Sequence, residues 1–288
     1  MSIFVSTSCL NGYSTLTELV ADLLAAGLNR IELSASPPVT ETELARIAML
    51  DAHFLVHNYF PPVSPPFVMN LASQNPAILE ASLKLAKRAI DLSASFGSSL
   101  YGVHSGIRAD VVPHSLGGAL KYGSIGDYDS AHKQMVKSLR ILCDYAQGRH
   151  VAVCVENHVL TSENLIRHQN QLLLYCEPFE MWALIDDVAR PNFGVLLDLG
   201  HLAVTAATLN FDRWRFVEQV APKVLAIHVS DNDMISDQHR PLRHGSWVLD
   251  VLRTPEFSDL PLVVEAKFET ANELACYVRW LRSELGRE

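Results

Sequence analysis

Six short apolar runs along this chain each stop on a side chain that can ligate a metal. They read Phe54-Leu55-Val56-His57, Tyr101-Gly102-Val103-His104, Val153-Cys154-Val155-Glu156, Val195-Leu196-Leu197-Asp198, Leu225-Ala226-Ile227-His228 and Leu262-Val263-Val264-Glu265. Short β-branched runs separated by stretches of helix length predict buried parallel strands. A parallel barrel puts all its strand C-termini on one face, and chemistry collects there. The six His, Asp and Glu side chains would then converge on one mouth. Polar residues often follow strands for no functional reason. Yet 12 histidines and 32 acidic residues among 288 positions are too few to make six hits at fixed places a comfortable coincidence.

The same punctuation orders the rest of the chain. Strands are expected over 3–8, 30–34, 53–58, a fourth ending at His104, and then 150–156, 193–198, 224–229 and 261–265. Helices are expected over 14–26, 40–50, 76–96, 130–146, 178–188, 212–220, 246–252 and 270–285. Ser14 reads as the first N-cap and Gly27 as the stop. Thr40 and Glu43 have capping-box spacing, and Pro76 and Gly97 bound the long third helix. Eight strands alternating with helices, with no linker or low-complexity tract, specify an α/β chain. The expected architecture is a (β/α)8 TIM barrel, one domain over 1–288. The longest loops follow strands three, four, five and seven, on the mouth side, as a substrate pocket or lid requires.

Composition narrows the partners. A hydrophobic content of 49% supports one large core. The net charge of −9 argues against nonspecific polyanion binding, and no basic run of five or more occurs. Nucleic acid is therefore a disfavoured partner, although a local basic groove stays open. Cys9, Cys143, Cys154, Cys176 and Cys276 are dispersed and lack a Cys-x-x-Cys, which points to a reducing compartment. Cys154 and Cys276 read as small core residues. The start of the chain carries no signal-like pattern and no run spans a bilayer, so a cytoplasmic protein without a membrane partner is expected. Exposed apolar helices leave a homo-oligomer open.

Glu156, Asp198, Glu265 and His228 make a hard, anionic ligand set. It suits Mn²⁺, Mg²⁺ or Co²⁺ and can accept Zn²⁺. Without a cation such groups repel or neutralise one another. His57, His104, His201, Asp237 and His239 extend the set to nine, enough for two or three metals with Glu156 as a bridge. Each also has a plainer reading. His57 and His104 could be hydrogen-bonded residues at the core edge, and Asp198 a helix cap. His201 could orient substrate or support a ligand, and Asp237 and His239 could belong to a solvated loop. His114, His132, His150 and His168 read as surface residues. His53 could point into the lower barrel, His158 could line the pocket, and His244 is open.

The chain resembles the xylose isomerase-like barrel superfamily, which contains sugar isomerases, ketose 3-epimerases, inosose dehydratases and zinc-dependent apurinic/apyrimidinic endonucleases. The resemblance rests on Val56-His57, Val155-Glu156-Asn157, Leu197-Asp198-Leu199-Gly200-His201, Ile227-His228-Val229 and Val264-Glu265. Asn70-Leu71-Ala72-Ser73 and Asp237-Gln238-His239 are similar to the endonuclease branch, whereas Asp198-Leu199-Gly200-His201 looks more like the isomerase and epimerase branch. The endonuclease likeness implies a three-zinc cluster on all nine ligands. The epimerase likeness implies a single metal on Glu156, Asp198, His228 and Glu265.

Two functions follow as expectations. The first is a divalent-metal-dependent isomerase or epimerase of a sugar, sugar phosphate or polyol derivative. There Glu156 and Glu265 would move a proton through an enediolate stabilised by the metal. His201 would position a substrate hydroxyl, and Arg240 or Lys267 would meet an anionic group or serve as a structural ion-pair partner. The second is phosphodiester hydrolysis by a two- or three-metal cluster, which uses His57, His104, Asp237 and His239 more fully. Tyr59, Phe60 and Phe67, beside the Pro-rich loop 61–66, would close a sugar pocket in the first case and wedge into a duplex in the second.

Overall fold

Parallel pairing runs without interruption from the first strand to the eighth and back, closing the ring. The computed structural model describes residues 2–34 and 37–286; residues 1, 35–36 and 287–288 of the expected domain lie outside them. The strands are β1 (Ile3–Ser6), β2 (Arg30–Leu33), β3 (His53–His57), β4 (Leu100–His104), β5 (Ala152–Glu156), β6 (Phe193–Asp198), β7 (Val224–Val229) and β8 (Leu262–Val264). Around them lie α1 (Leu16–Ala25), α2 (Glu41–Ile47), α3 (Pro76–Ser95), α4 (Tyr128–Gln147), α5 (Pro178–Val188), α6 (Leu199–Leu209), α7 (Arg213–Val220), α8 (Trp247–Leu252) and α9 (Ala271–Glu284). This is the expected (β/α)8 barrel.

Side-chain alternation along the strands divides the interior into two environments. Ile31, Leu33, Val153, Val155, Val195 and Leu197 belong to the main core between strands and helices. The intervening residues face the barrel axis. At its lower level Phe4, Leu55 and Val263 pack with Leu100, and Cys154, Leu196 and Ala226 pack beside them. Two residues further along each strand, the same parity brings Ser6, Glu32, His57, Gly102, Glu156, Asp198, His228 and Glu265 to one level. An apolar plug thus underlies a polar layer whose side chains are all buried.

Three local expectations change. Thr15, not Ser14, caps α1; its hydroxyl accepts from the Glu18 N–H and Glu18 returns a bond to the Thr15 N–H, a full capping box. The first strand ends at Ser6, where a 3₁₀ turn over Thr7–Cys9 replaces its last residues. The segment after Asp198, for which no helix was foreseen, is α6. Leu199 through Ala206 are all buried, so this helix has no polar stripe to reveal its period. Three single residues also move. His53 is exposed at the start of β3 rather than inside the barrel. His132, expected at the surface, keeps 15% of its side chain exposed, with Nε2 2.7 Å from Asp187 Oδ2. Cys276, expected in the core, is exposed on α9, whereas Cys154 is buried as expected.

The loops after β4 and β5 are not loose. Ile107 bridges Leu173, Val111 bridges Tyr122, and Val68, Ala109, Leu160 and Leu172 join a second apolar cluster beneath them. Among the described residues, no helix is long and apolar enough to cross a membrane.

Candidate metal centre

Glu156 ends β5 and lies at the middle of the polar layer, 1% exposed. Its Oε2 accepts a hydrogen bond from His57 Nε2 at 2.6 Å and lies 3.3 Å from His104 Nε2. Its Oε1 lies 3.0 Å from His201 Nδ1 and 3.8 Å from His228 Nδ1. Both carboxylate oxygens are therefore shared between ligand groups, as a bridging residue requires. Gly102 makes room for this on β4, in register with His57. A Cβ there would stand 2.9 Å from the His57 ring and 2.8 Å from Leu196.

His228 forms the second focus. Its Nδ1 lies 3.2 Å from Glu265 Oε2 and 3.7 Å from Asp198 Oδ2, as well as facing Glu156. Asp198 is locked in place from two sides. Its backbone N–H and C=O both bond to the Asn157 side chain at 2.9 Å. Its Oδ1 caps α6 by accepting from the His201 N–H at 2.7 Å. That leaves Oδ2 for the centre.

A third group lies further out. His201 Nε2 is 3.4 Å from Asp237 Oδ2, and His239 Nε2 is 3.0 Å from the same oxygen. The structure thus brings all nine predicted ligands into one connected network. Arg240 and Lys267 sit outside it. Both are exposed; Arg240 pairs through its backbone with Asp231, and Lys267 Nζ donates to the Ser8 carbonyl at 2.6 Å. His158 lines the network's edge and bonds through Nε2 to the Gly106 carbonyl at 3.1 Å.

Two residues were missed from sequence. Glu32 is 3% exposed on β2, with Oε2 2.9 Å from His228 Nε2. Ser34 Oγ lies 3.3 Å from His57 Nδ1. A signal for Glu32 existed, since Ile31-Glu32-Leu33 puts a carboxylate inside an apolar strand. It escaped because it does not end its run.

The electrostatics describe a site that balances itself with protons. Burial works to raise the Glu156 carboxyl, but the imidazoles of His104, His57 and His201 outweigh it and hold it well below the usual range. Burial likewise opposes the Glu265 carboxyl, yet His228 brings it down to about 2. Asp198 goes up, first from burial and then from the charges of Glu156 and Glu265. Burial would lower His228 and His201, but Glu265 and Glu32 around the first and Asp198 and Asp237 around the second raise both well above 6.5. Burial dominates at His104 and lowers it to about 3.

These residues fit a cation. Among the described residues, Asp198 Oδ2, His228 Nδ1, Asp237 Oδ1 and His239 Nδ1 are buried and lack a hydrogen-bond partner. Asp198 Oδ2 and His228 Nδ1 stand 3.7 Å apart without making a hydrogen bond. Such orphans are rare and costly unless something else satisfies them. Three ligand groups have donor atoms mutually within 4.8 Å: His57, His104 and Glu156; Glu156, Asp198 and His228; and Glu32, His57, His228 and Glu265. A buried His, Glu and Asp cluster that can hold a metal ion is therefore present. Convergence, not hollow volume, marks it. A groove of about 520 Å³ between α4 and α5, lined by His132, Lys137, Arg140 and Asp187 among others, contains none of these ligands.

A family model described as xylose isomerase-like TIM barrel matches residues 20–283. The chain belongs to the xylose isomerase-like TIM barrel family. Solved structures share the fold of this family member at low identity. A D-tagatose 3-epimerase-like protein is 16% identical with a TM-score of 0.74, over 99% of this chain and 97% of that one. An L-ribulose 3-epimerase is 17% identical with a TM-score of 0.70, over 99% and 95%. The TTHB071 protein from Thermus thermophilus, soaked with ZnCl2, is 18% identical with a TM-score of 0.67, over 99% and 98%. No curated protein matches the sequence.

Proposed function

We propose that this family member is a divalent-metal-dependent isomerase or epimerase acting on a sugar, sugar phosphate or polyol derivative. The observation that carries this reading is the placement of Glu156 and Glu265. Both are buried, come from different strand ends, and reach within 3.8 and 3.2 Å of the same atom, His228 Nδ1. Two carboxylates that reach one point from different strands could serve one reacting carbon. Glu156, Asp198, His228 and Glu265 would hold Mn²⁺, Mg²⁺ or Co²⁺. When bound, the ion supplies Lewis acidity to a carbonyl and its neighbouring hydroxyl.

The residues do the rest. One of Glu156 and Glu265 takes the proton from the carbon beside the carbonyl, and the other returns a proton to it. Return on the opposite face inverts that carbon; return at the neighbouring carbon isomerises. His201, held by the Asn157 carbonyl at 3.0 Å, turns Nε2 toward the mouth and would orient a substrate hydroxyl. Arg240 on the rim would receive an anionic substituent, and Lys267 would contribute only through the donors its Ser8 bond leaves over. The low-identity epimerase structures support this reading through a common architecture.

A second reading rests on the completeness of the ligand network. His57 and His104 both address Glu156 Oε2, and Asp237 joins His201 to His239. Three nested groups suit Zn²⁺ and hydrolysis of a phosphodiester. The deciding experiment incubates the metal-loaded protein in D₂O with a panel of ketoses, their phosphates and cyclitols, and separately with abasic-site DNA. Deuterium entering the carbon beside a carbonyl supports proton transfer. No exchange across the panel, together with strand nicking, overturns it in favour of hydrolysis.

A further inference from the structure

Glu32 is the acidic member of the mouth layer that neither reading uses. It lies on β2, opposite Ser6 on one side and Leu55 on the other, and two strands, β1 and β8, separate β2 from the β7 strand that carries His228. No loop or helix end brings it there; the inward parity of β2 does. Its Oε2 meets His228 Nε2 at 2.9 Å, and His228 is fully buried. Among the described residues, its Oε1 is buried without a hydrogen-bond partner.

The imidazole of His228 has two nitrogens with different duties. Nδ1 faces Glu156, Asp198 and Glu265. To offer a lone pair there, the neutral ring must carry its proton on Nε2. That N–H is sealed from water, and a buried donor without an acceptor is costly. The His57 ring, edge-on with centroids 4.8 Å apart, flanks the imidazole, and Glu32 Oε2 lies within hydrogen-bond distance of Nε2.

We propose that Glu32 is a positioning residue of the metal centre: it accepts the Nε2 proton of His228, fixes that ring's tautomer and orientation, and so aims Nδ1 at the cation. This rests on the metal-binding part of the reading above and is independent of the substrate. Carboxylates that hold a ligating histidine in this way commonly contribute on the order of 10- to 100-fold to metal affinity. Glu32 touches no reacting atom, so its effect runs through His228.

The test compares wild type, Glu32→Gln and Glu32→Ala, stripped with chelator and titrated with Co²⁺ alone, followed by visible absorption, with elemental analysis at saturation. The expected result is an unchanged number of ions per chain in all three, with affinity lower in Glu32→Gln and lower again in Glu32→Ala. The amide oxygen of Gln can still accept from Nε2, which grades the loss. In Zn²⁺-loaded protein with ¹⁵N-histidine, the His228 Nε2 proton should be protected from exchange in wild type and should exchange rapidly in Glu32→Ala. A merely structural role would lower the melting temperature in chelator but leave Co²⁺ affinity of the folded protein untouched. Wild-type affinity in both variants overturns the proposal. Loss of one ion per chain also overturns it, since Glu32 would then be a direct ligand. If wild type binds no Co²⁺, the metal reading itself falls and this inference with it; the control titration separates the two failures.

Discussion

The inner cage of Glu156, Asp198, His228 and Glu265 and the outer trio of His201, Asp237 and His239 offer similar ligand chemistry from unlike supports. The inner residues sit on β5, β6 and β7 and just past β8, with side chains 0–8% exposed. Strand hydrogen bonds fix each backbone, and alternation fixes each direction. In the outer trio, His201 lies in the first turn of α6, while Asp237 and His239 lie in the loop after β7. Their side chains are 11%, 18% and 25% exposed. His239 has a left-handed backbone, φ 47°, beside the Asp231–Arg240 bridge. Rigid elements place ligands more tightly than loops do. Under the multi-metal reading, the contrast predicts a tightly held inner ion and a more exchangeable outer one.

The strongest way to break this contrast is to disable the carboxylates of the inner cage. Glu156→Gln and Glu265→Gln should each lower turnover by about 100- to 10,000-fold while circular dichroism stays native. Glu156→Gln should in addition weaken metal binding across the network. Near-normal turnover in either variant would contradict a two-carboxylate mechanism. Asp237→Asn or His239→Ala should act on the outer trio alone; under the multi-metal reading elemental analysis should show one ion fewer, and under the single-metal reading the metal content should not change. Under the isomerase reading, turnover should fall by only about 10- to 100-fold. A loss as large as that of Glu156→Gln would shift weight to the multi-metal hydrolase.

Gly102→Ala tests whether the inner cage depends on space as well as ligands. The added methyl meets the His57 ring and Leu196, and overpacking of this kind costs about 1–3 kcal/mol. Urea unfolding should show the loss, and metal affinity should drop with it.

The smallest effect is in pH. In metal-free protein, His201 and His228 are raised above 6.5. Their stabilisation is therefore full below about pH 6.5 and lost as pH rises through the raised values. Glu265 is lowered from 4.5 to about 2, so its contribution is present above pH 4.5 and fades as pH falls toward about 2. Saturating metal displaces the imidazole protons. Thermal melts should then lose the alkaline decline, and calorimetry in buffers of different ionisation heat should record proton release. An identical alkaline edge with and without metal would contradict the assignment of His228 Nδ1 as a ligand.

Strand-end ligands were legible because each closes an apolar run, and a parallel barrel leaves only one place for them to meet. The outer trio was visible through Asp198-Leu199-Gly200-His201 and Asp237-Gln238-His239. Glu32 was passed over because it interrupts its strand instead of ending it. Helix α6 was passed over because burial on nearly every side erases the amphipathic period. The Thr15 cap shows a finer limit, since Ser14 and Thr15 are both acceptable caps and only the reciprocal bond with Glu18 selects between them.

The sequence alone determined the order of the eight strands, the convergence of the six strand-end ligands and the chemical hardness of the ligand set. These follow from local periodicity and side-chain chemistry, which need no knowledge of distant contacts. Tertiary structure decided which ligand faces which. That Glu32 on β2 meets the ring of His228 on β7, and that Gly102 yields its space to His57, depend on how the closed ring staggers its strands. Those pairings join residues far apart in the chain, and no local pattern encodes the distance between them.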